Sequence, residues 1–178
     1  MSTEILKKLE GGDPNATFPV IMVSEEVEAN PALLDDIFKG AVSPDSLVRM
    51  RSAQVIGRVA WQHPDYLIPY NTRLIEVLSR AKERQYRRNL IMLLPHLRLT
   101  AAEKERVSEV LRGFLEDKNV TVIIAAFEAM VELAGDDPAR QVKLLPMLDE
   151  LARTGSPAVR VRARRAQEKL FQSLTAEE

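Results

Sequence analysis

An all-α chain, made by repeating one helix pair about four times, is the fold class predicted by the 178-residue sequence. Three observations predict it. Helix-favouring Leu, Ala, Arg, Glu and Val dominate, with only 7 glycines and no cysteine. Apolar or small residues recur at positions 0, +4, +7 and +11, which make one stripe of an α-helix. That template starts at Val48, Tyr86, Val122 and Val159, so the copies are 38, 36 and 37 residues apart. An apolar pair four residues apart precedes each copy: Leu34/Phe38, Leu74/Leu78, Leu111/Leu115 and Met147/Leu151. Each unit is therefore two helices. A single pair cannot hide its apolar stripe, but stacking against neighbouring pairs does, and the result is a solenoid.

Taken in order, residues 1–30 lie outside the repeat. Gly11-Gly12-Asp13-Pro14 reads as a flexible lead-in, and Val20-Ile21-Met22-Val23 with Val27 as a short helix capping the first unit. The units are expected at about 31–60, 66–97, 102–134 and 138–172, with 173–178 as a tail. First helices fall near 31–41, 66–80, 102–116 and 138–152, and second helices near 45–60, 82–97, 119–134 and 157–172. Asn30-Pro31, His63-Pro64 and Asp137-Pro138 open first helices, and Thr100 serves for the third. Ser43-Pro44 and Ser156-Pro157 each offer a capping hydroxyl followed by Pro at the first helical position. Asp117-Lys118-Asn119 supplies the caps at the matching point of the third unit. Gly135 and Gly155 are read as left-handed C-terminal caps. Pro95 should kink or shorten its helix, since it lacks the N–H and crowds the preceding turn. The stretch from Val122 to Ala134 is apolar almost all round, the pattern of a helix buried on most sides.

The run Ser43-Pro44-Asp45-Ser46-Leu47-Val48-Arg49, continuing to Ala53 and Ile56-Gly57, resembles the second helix of a HEAT repeat. Ser156-Pro157-Ala158-Val159-Arg160 repeats its start. The resemblance covers roughly residues 31–172, although Ile123 and Tyr86 depart from the Val-Arg pattern. It implies a right-handed α-solenoid of HEAT/armadillo-like helix pairs whose second helices line a concave surface.

Charge is unevenly spread. Residues 1–45 carry 3 cations and 9 anions, 46–98 carry 10 and 3, 99–155 carry 7 and 11, and 156–178 carry 5 and 3. Alternating blocks favour contact between neighbouring segments, and a net charge of −1 is not that of a basic nucleic-acid binder. The +1 and +5 positions of the last copy are Arg160 and Arg164, where the third copy has Ile123 and Phe127. A terminal repeat needs such a polar outer face. The +3, +6 and +10 positions stay polar or mixed in every copy and form the expected exposed stripe. Glu128 and Glu132 lie one repeat from Arg162, Arg165 and Lys169, so pairing of Glu with Arg across repeats is expected.

Enzyme chemistry is thin. There is no phosphate loop, nucleophile elbow or cysteine nucleophile. His63 and His96 have no ligand-spaced partners, so no metal and no cofactor is expected, and no catalytic residue is assigned. The expected function is a non-enzymatic protein-binding scaffold. Its binding face is built on Arg51, Arg58, Trp61, Met92 and His96, flanked by Glu128, Glu132, Arg165 and Lys169. Trp61 and Met92 have a competing reading as core residues. The partner is a protein or peptide, with self-association through an end helix as a further mode. The alternative is a DNA-binding protein related to HEAT-like alkylbase DNA glycosylases, using Arg80, Lys82, Arg84, Arg87 and Arg88 as its patch. The nearby run from Trp61 to Tyr66, containing Asp65, is an aromatic–acid cluster that matches no catalytic pattern. No leader opens the chain and no apolar run is long enough to cross a bilayer, so a cytoplasmic setting without membrane attachment is expected.

Overall fold

Residues 3–176 are described by the computed structural model, so Met1, Ser2, Glu177 and Glu178, the last two in the expected tail, lie outside the described residues. The chain divides into two units, one up to Thr100 and one from Ala101 onward. The first holds α1 (Glu4–Lys7), α2 (Phe18–Ala29), α3 (Leu34–Gly40), α4 (Ser46–Gln62), α5 (Asn71–Arg80) and α6 (Arg84–Leu93). Short 3-10 segments at Pro31–Leu33, Pro64–Tyr70 and Leu94–His96 join them. The second holds α7 (Ala101–Phe114), α8 (Val120–Ala134), α9 (Pro138–Thr154) and α10 (Pro157–Ala176). Helix α10 takes in residues 173–176, which were expected as tail.

All sixteen template residues, from Val48 to Leu170, are buried. The repeat is therefore physical: each second helix, α4, α6, α8 and α10, turns the same stripe inward. Helix α4 is the hub of the first unit, packing on α2, α3, α6 and the Pro64–Tyr70 segment. Helix α8 has that place in the second, against α7, α9 and α10, with Phe127 wholly buried. The first helices follow the expected pattern less closely. Leu34/Phe38 and Leu74/Leu78 are buried, but in α9 the buried row is Gln141, Leu144, Leu148 and Ala152, and Met147 and Leu151 are only half-buried. An apolar run with several Leu at successive turns leaves this register open.

Pro95 acts as expected. α6 stops at Leu93 and tightens into the 3-10 turn Leu94–His96. Asp137 caps α9, accepting from the Arg140 N–H at 3.1 Å. Asn119 precedes α8 without a side-chain cap bond. Two other end signals are corrected. Helix α4 starts at Ser46, capped by Asp45, whose carboxylate accepts from the Leu47 and Val48 N–H groups at 2.8 and 3.0 Å; Ser43 instead accepts from the Asp45 N–H. Gly155 is extended, with φ of −64°. It is required by crowding: a Cβ there would lie 2.6 Å from the Leu151 carbonyl oxygen and from Val159 Cγ1.

Nor is the lead-in free. Ile5, Leu6 and Leu9 are buried, and α1 packs on α3. Gly11 and Gly12 adopt φ of 62° and 74°, values that only glycine takes readily. The turn they make aims three carbonyls at one guanidinium. Arg51 donates to Leu9 O, Gly11 O and Asp13 O at 2.9, 2.8 and 2.7 Å.

Candidate functional site

The +3, +6 and +10 stripe is exposed or half-exposed at eleven of its twelve positions. Arg51 is the exception and a correction. It is 1% exposed and tied to the N-terminal segment, so it is not on the exposed stripe. Sequence periodicity missed this because residues 1–30 lie outside the repeat, and α2 and the turn before it cover the face that α4 would otherwise expose.

In the first unit, α2, α4 and α6 enclose a cleft of about 720 Å³. Four of the five residues expected at the centre of the face line it: Arg58 and Trp61 from α4, Met92 from α6, and His96 from the turn that follows. Trp61 and Met92 are 74% and 52% exposed, so neither is a core residue. Their position follows from the helix period, since both stand on the side opposite the buried stripe. Gly57 of α4 and Leu93 of α6 lie at the base of the cleft.

Two contributors to the cleft were not foreseen. Thr17, just before α2, and Val20 and Ile21 within it supply one wall. Arg88, expected in the turn cluster, lines the cleft as well. The signal was present, because two residues past Tyr86 lies only about 40° round the helix from Met92.

The remaining cations of that cluster do not join it. Arg80 lines a separate pocket with Arg49, Arg73 and Tyr86. Arg87 donates to the Ala81 carbonyl at 2.6 Å. Lys82 and Arg84 are exposed. Glu83, between Lys82 and Arg84, accepts from Arg49. Arg88 and Arg80 of that cluster thus line different pockets. The aromatic–acid grouping is divided too: Trp61 lines the cleft, His63 stacks on Tyr66 at 4.9 Å, and Asp65 pairs with Arg98 at 3.0 Å.

Arg49 is the Arg of the HEAT-like pattern, and its role is structural. It holds the Ser43 carbonyl, pairs with Glu83, and lies over the Tyr86 ring at 5.8 Å. Tyr86 donates to the buried Ala41 carbonyl. Burial, helped by Glu83 and opposed by Arg49, pushes the Tyr86 hydroxyl up to about 12.

In the second unit, Glu128 and Glu132 of α8 and Arg165 and Lys169 of α10 line one pocket of about 340 Å³, together with Arg162. Arg162 donates to Glu128 at 2.6 Å, the inter-repeat pairing expected from the sequence. Both groups are partly exposed, and such a pair stabilises by only ~0–1 kcal/mol. Arg160 and Arg164 are exposed.

No protein-family model matches the chain, and no curated protein matches it. Solved structures do. One is an engineered protein, Northeast Structural Genomics Consortium target OR329, with a TM-score of 0.67 and 16% identity over 95% of this chain and 78% of that one. Another belongs to computationally designed armadillo repeat proteins for modular peptide recognition, with a TM-score of 0.66 and 18% identity over 92% of this chain and 79% of that one. The class of fold is thereby defined: an all-α repeat solenoid of HEAT/armadillo type. Among the described residues no helix is long and apolar enough to cross a membrane.

Proposed function

We propose that this protein is a non-enzymatic scaffold that binds a protein or peptide on the exposed side of its second helices, with the cleft between α2, α4 and α6 as the main seat. The observation that carries this reading is the open cleft flanked by Trp61 and Met92. Large apolar side chains held in water beside a concavity are what a binding hot spot requires, and Trp is among the residues most enriched there. The designed armadillo proteins of the same fold, described as made for peptide recognition, support the same kind of partner. The mixed pocket of the second unit, with Glu132, Arg165 and Lys169, serves as a charged flank.

The test is site-specific photo-crosslinking in cells, with the reactive group placed at Met92 and, as a control, at exposed Glu105 on α7. A discrete protein adduct should form from position 92 alone and disappear in Trp61→Ala. Equal labelling from both positions, or adducts to nucleic acid only, would refute the proposal.

A further inference from the structure

Some arginines of the first unit are held by carboxylates and others, Arg80 and Arg84 among them, show no ion pair among the described residues. Arg49, Arg73 and Arg98 each have a carboxylate partner, Glu83, Asp35 and Asp65 respectively. Arg58 and Arg88, which line the cleft from α4 and α6, have no ion pair among the described residues. No Asp or Glu lines the cleft. Its floor is aliphatic, with Val20, Ala53 and Leu93 beneath the exposed Trp61 and Met92.

We infer that the cleft takes an acidic peptide segment anchored by one large apolar side chain. The inference rests on the reading of the cleft as a protein-binding seat and adds the chemistry of the occupant. A guanidinium offers a planar fork that matches a carboxylate, and two of them on adjacent helices define a site for an anion pair or a bridging carboxylate. Helices packed about 10 Å apart are spanned by three or four residues of extended chain. An apolar side chain of the segment then falls against Trp61 and Met92 while its acidic neighbours reach Arg58 and Arg88. The amide of Gln54, also in the lining, can both donate to and accept from the extended main chain. Nucleic acid fits less well. A phosphate track needs a continuous row of cations, and here two arginines and one histidine border an aliphatic floor.

The experiment selects from a display library of random peptides of about twelve residues against the full chain. Enriched peptides are then synthesised and titrated while the fluorescence of Trp61, the single tryptophan, is followed. The inference expects Asp or Glu within a few residues of an aromatic, Leu or Met. It also expects at least tenfold weaker binding in Arg58→Glu and in Arg88→Glu, and weakening by salt. Enrichment of basic or neutral apolar peptides that still need Trp61 would overturn the acidic occupant and leave the protein-binding seat standing. Failure to enrich any peptide that depends on Trp61, or tighter binding of a random-sequence oligonucleotide that Arg58→Glu abolishes, would overturn both.

Discussion

Replacing Arg51 with Met tests how the N-terminal segment is held. Met keeps an unbranched stem in the buried site and removes every donor. Three hydrogen bonds from a charged group, at about 1.5 kcal/mol each, amount to roughly 4–5 kcal/mol. Two effects offset part of this. The guanidinium no longer has to be desolvated, and its Nε is already without a partner. Gly11 and Asp13 are exposed, so their carbonyls regain water, whereas Leu9 is fully buried and its carbonyl is left unsatisfied. The net expectation is a loss of about 2–4 kcal/mol, or a Tm lower by roughly 5–15 °C. Melting by circular dichroism gives the magnitude, and hydrogen exchange gives the location. Protection should fall first around Ile5, Leu6 and Leu9. A melt within 2 °C of the parent, or exchange in residues 3–13 unchanged, would refute the claim that these three carbonyls are held by Arg51.

Other expectations concern single contacts. Tyr86→Phe leaves the Ala41 carbonyl without its donor and should cost about 1–3 kcal/mol in denaturant unfolding. The same variant should flatten the alkaline limb of stability. The Tyr86 hydroxyl is raised in the folded state, so its contribution is complete below pH 10 and is lost as pH rises towards about 12. Tyr70, also raised, first by burial and then by Asp35, leaves a residue of that loss in the variant. Gly155→Ala drives a methyl against the Leu151 carbonyl and Val159 and should destabilise by about 1–3 kcal/mol, read by thermal melting. Phe127→Ala opens a cavity at the centre of the second unit and should cost about 3–5 kcal/mol, with exchange protection lost across α8. Trp61→Ala should leave the melt within about 0.5 kcal/mol of the parent, because the ring is in water, while removing the adduct formed from position 92.

What the sequence revealed and what it hid have physical causes. The four second helices were legible because each turns one narrow stripe inward, so the 0, +4, +7, +11 spacing admits few alternatives. Residues such as Trp61 and Met92 could be placed on a face by the same period, but not assigned to water or core, since apolar character suits either. The register of α9 was not legible. Leu144, Met147, Leu148 and Leu151 are all apolar, and only the neighbouring helices decide that Leu144 and Leu148 go inward. Arg51 was misplaced for the opposite reason. Its position in the repeat is right for a surface cation, but the chain before the repeat folds back over that spot. No local rule signals a contact made across about forty residues of sequence.

That contact also sets an order of events during synthesis. The acceptors at Leu9, Gly11 and Asp13 precede their donor by 42, 40 and 38 residues. At about 5–20 residues per second, they leave the ribosome roughly 2–8 seconds before Arg51 does. For most of that interval the apolar side chains of Ile5, Leu6 and Leu9 lack α3, and for all of it they lack the guanidinium. The segment before the repeat therefore stays unanchored until α4 has been made, and its docking follows the completion of that helix.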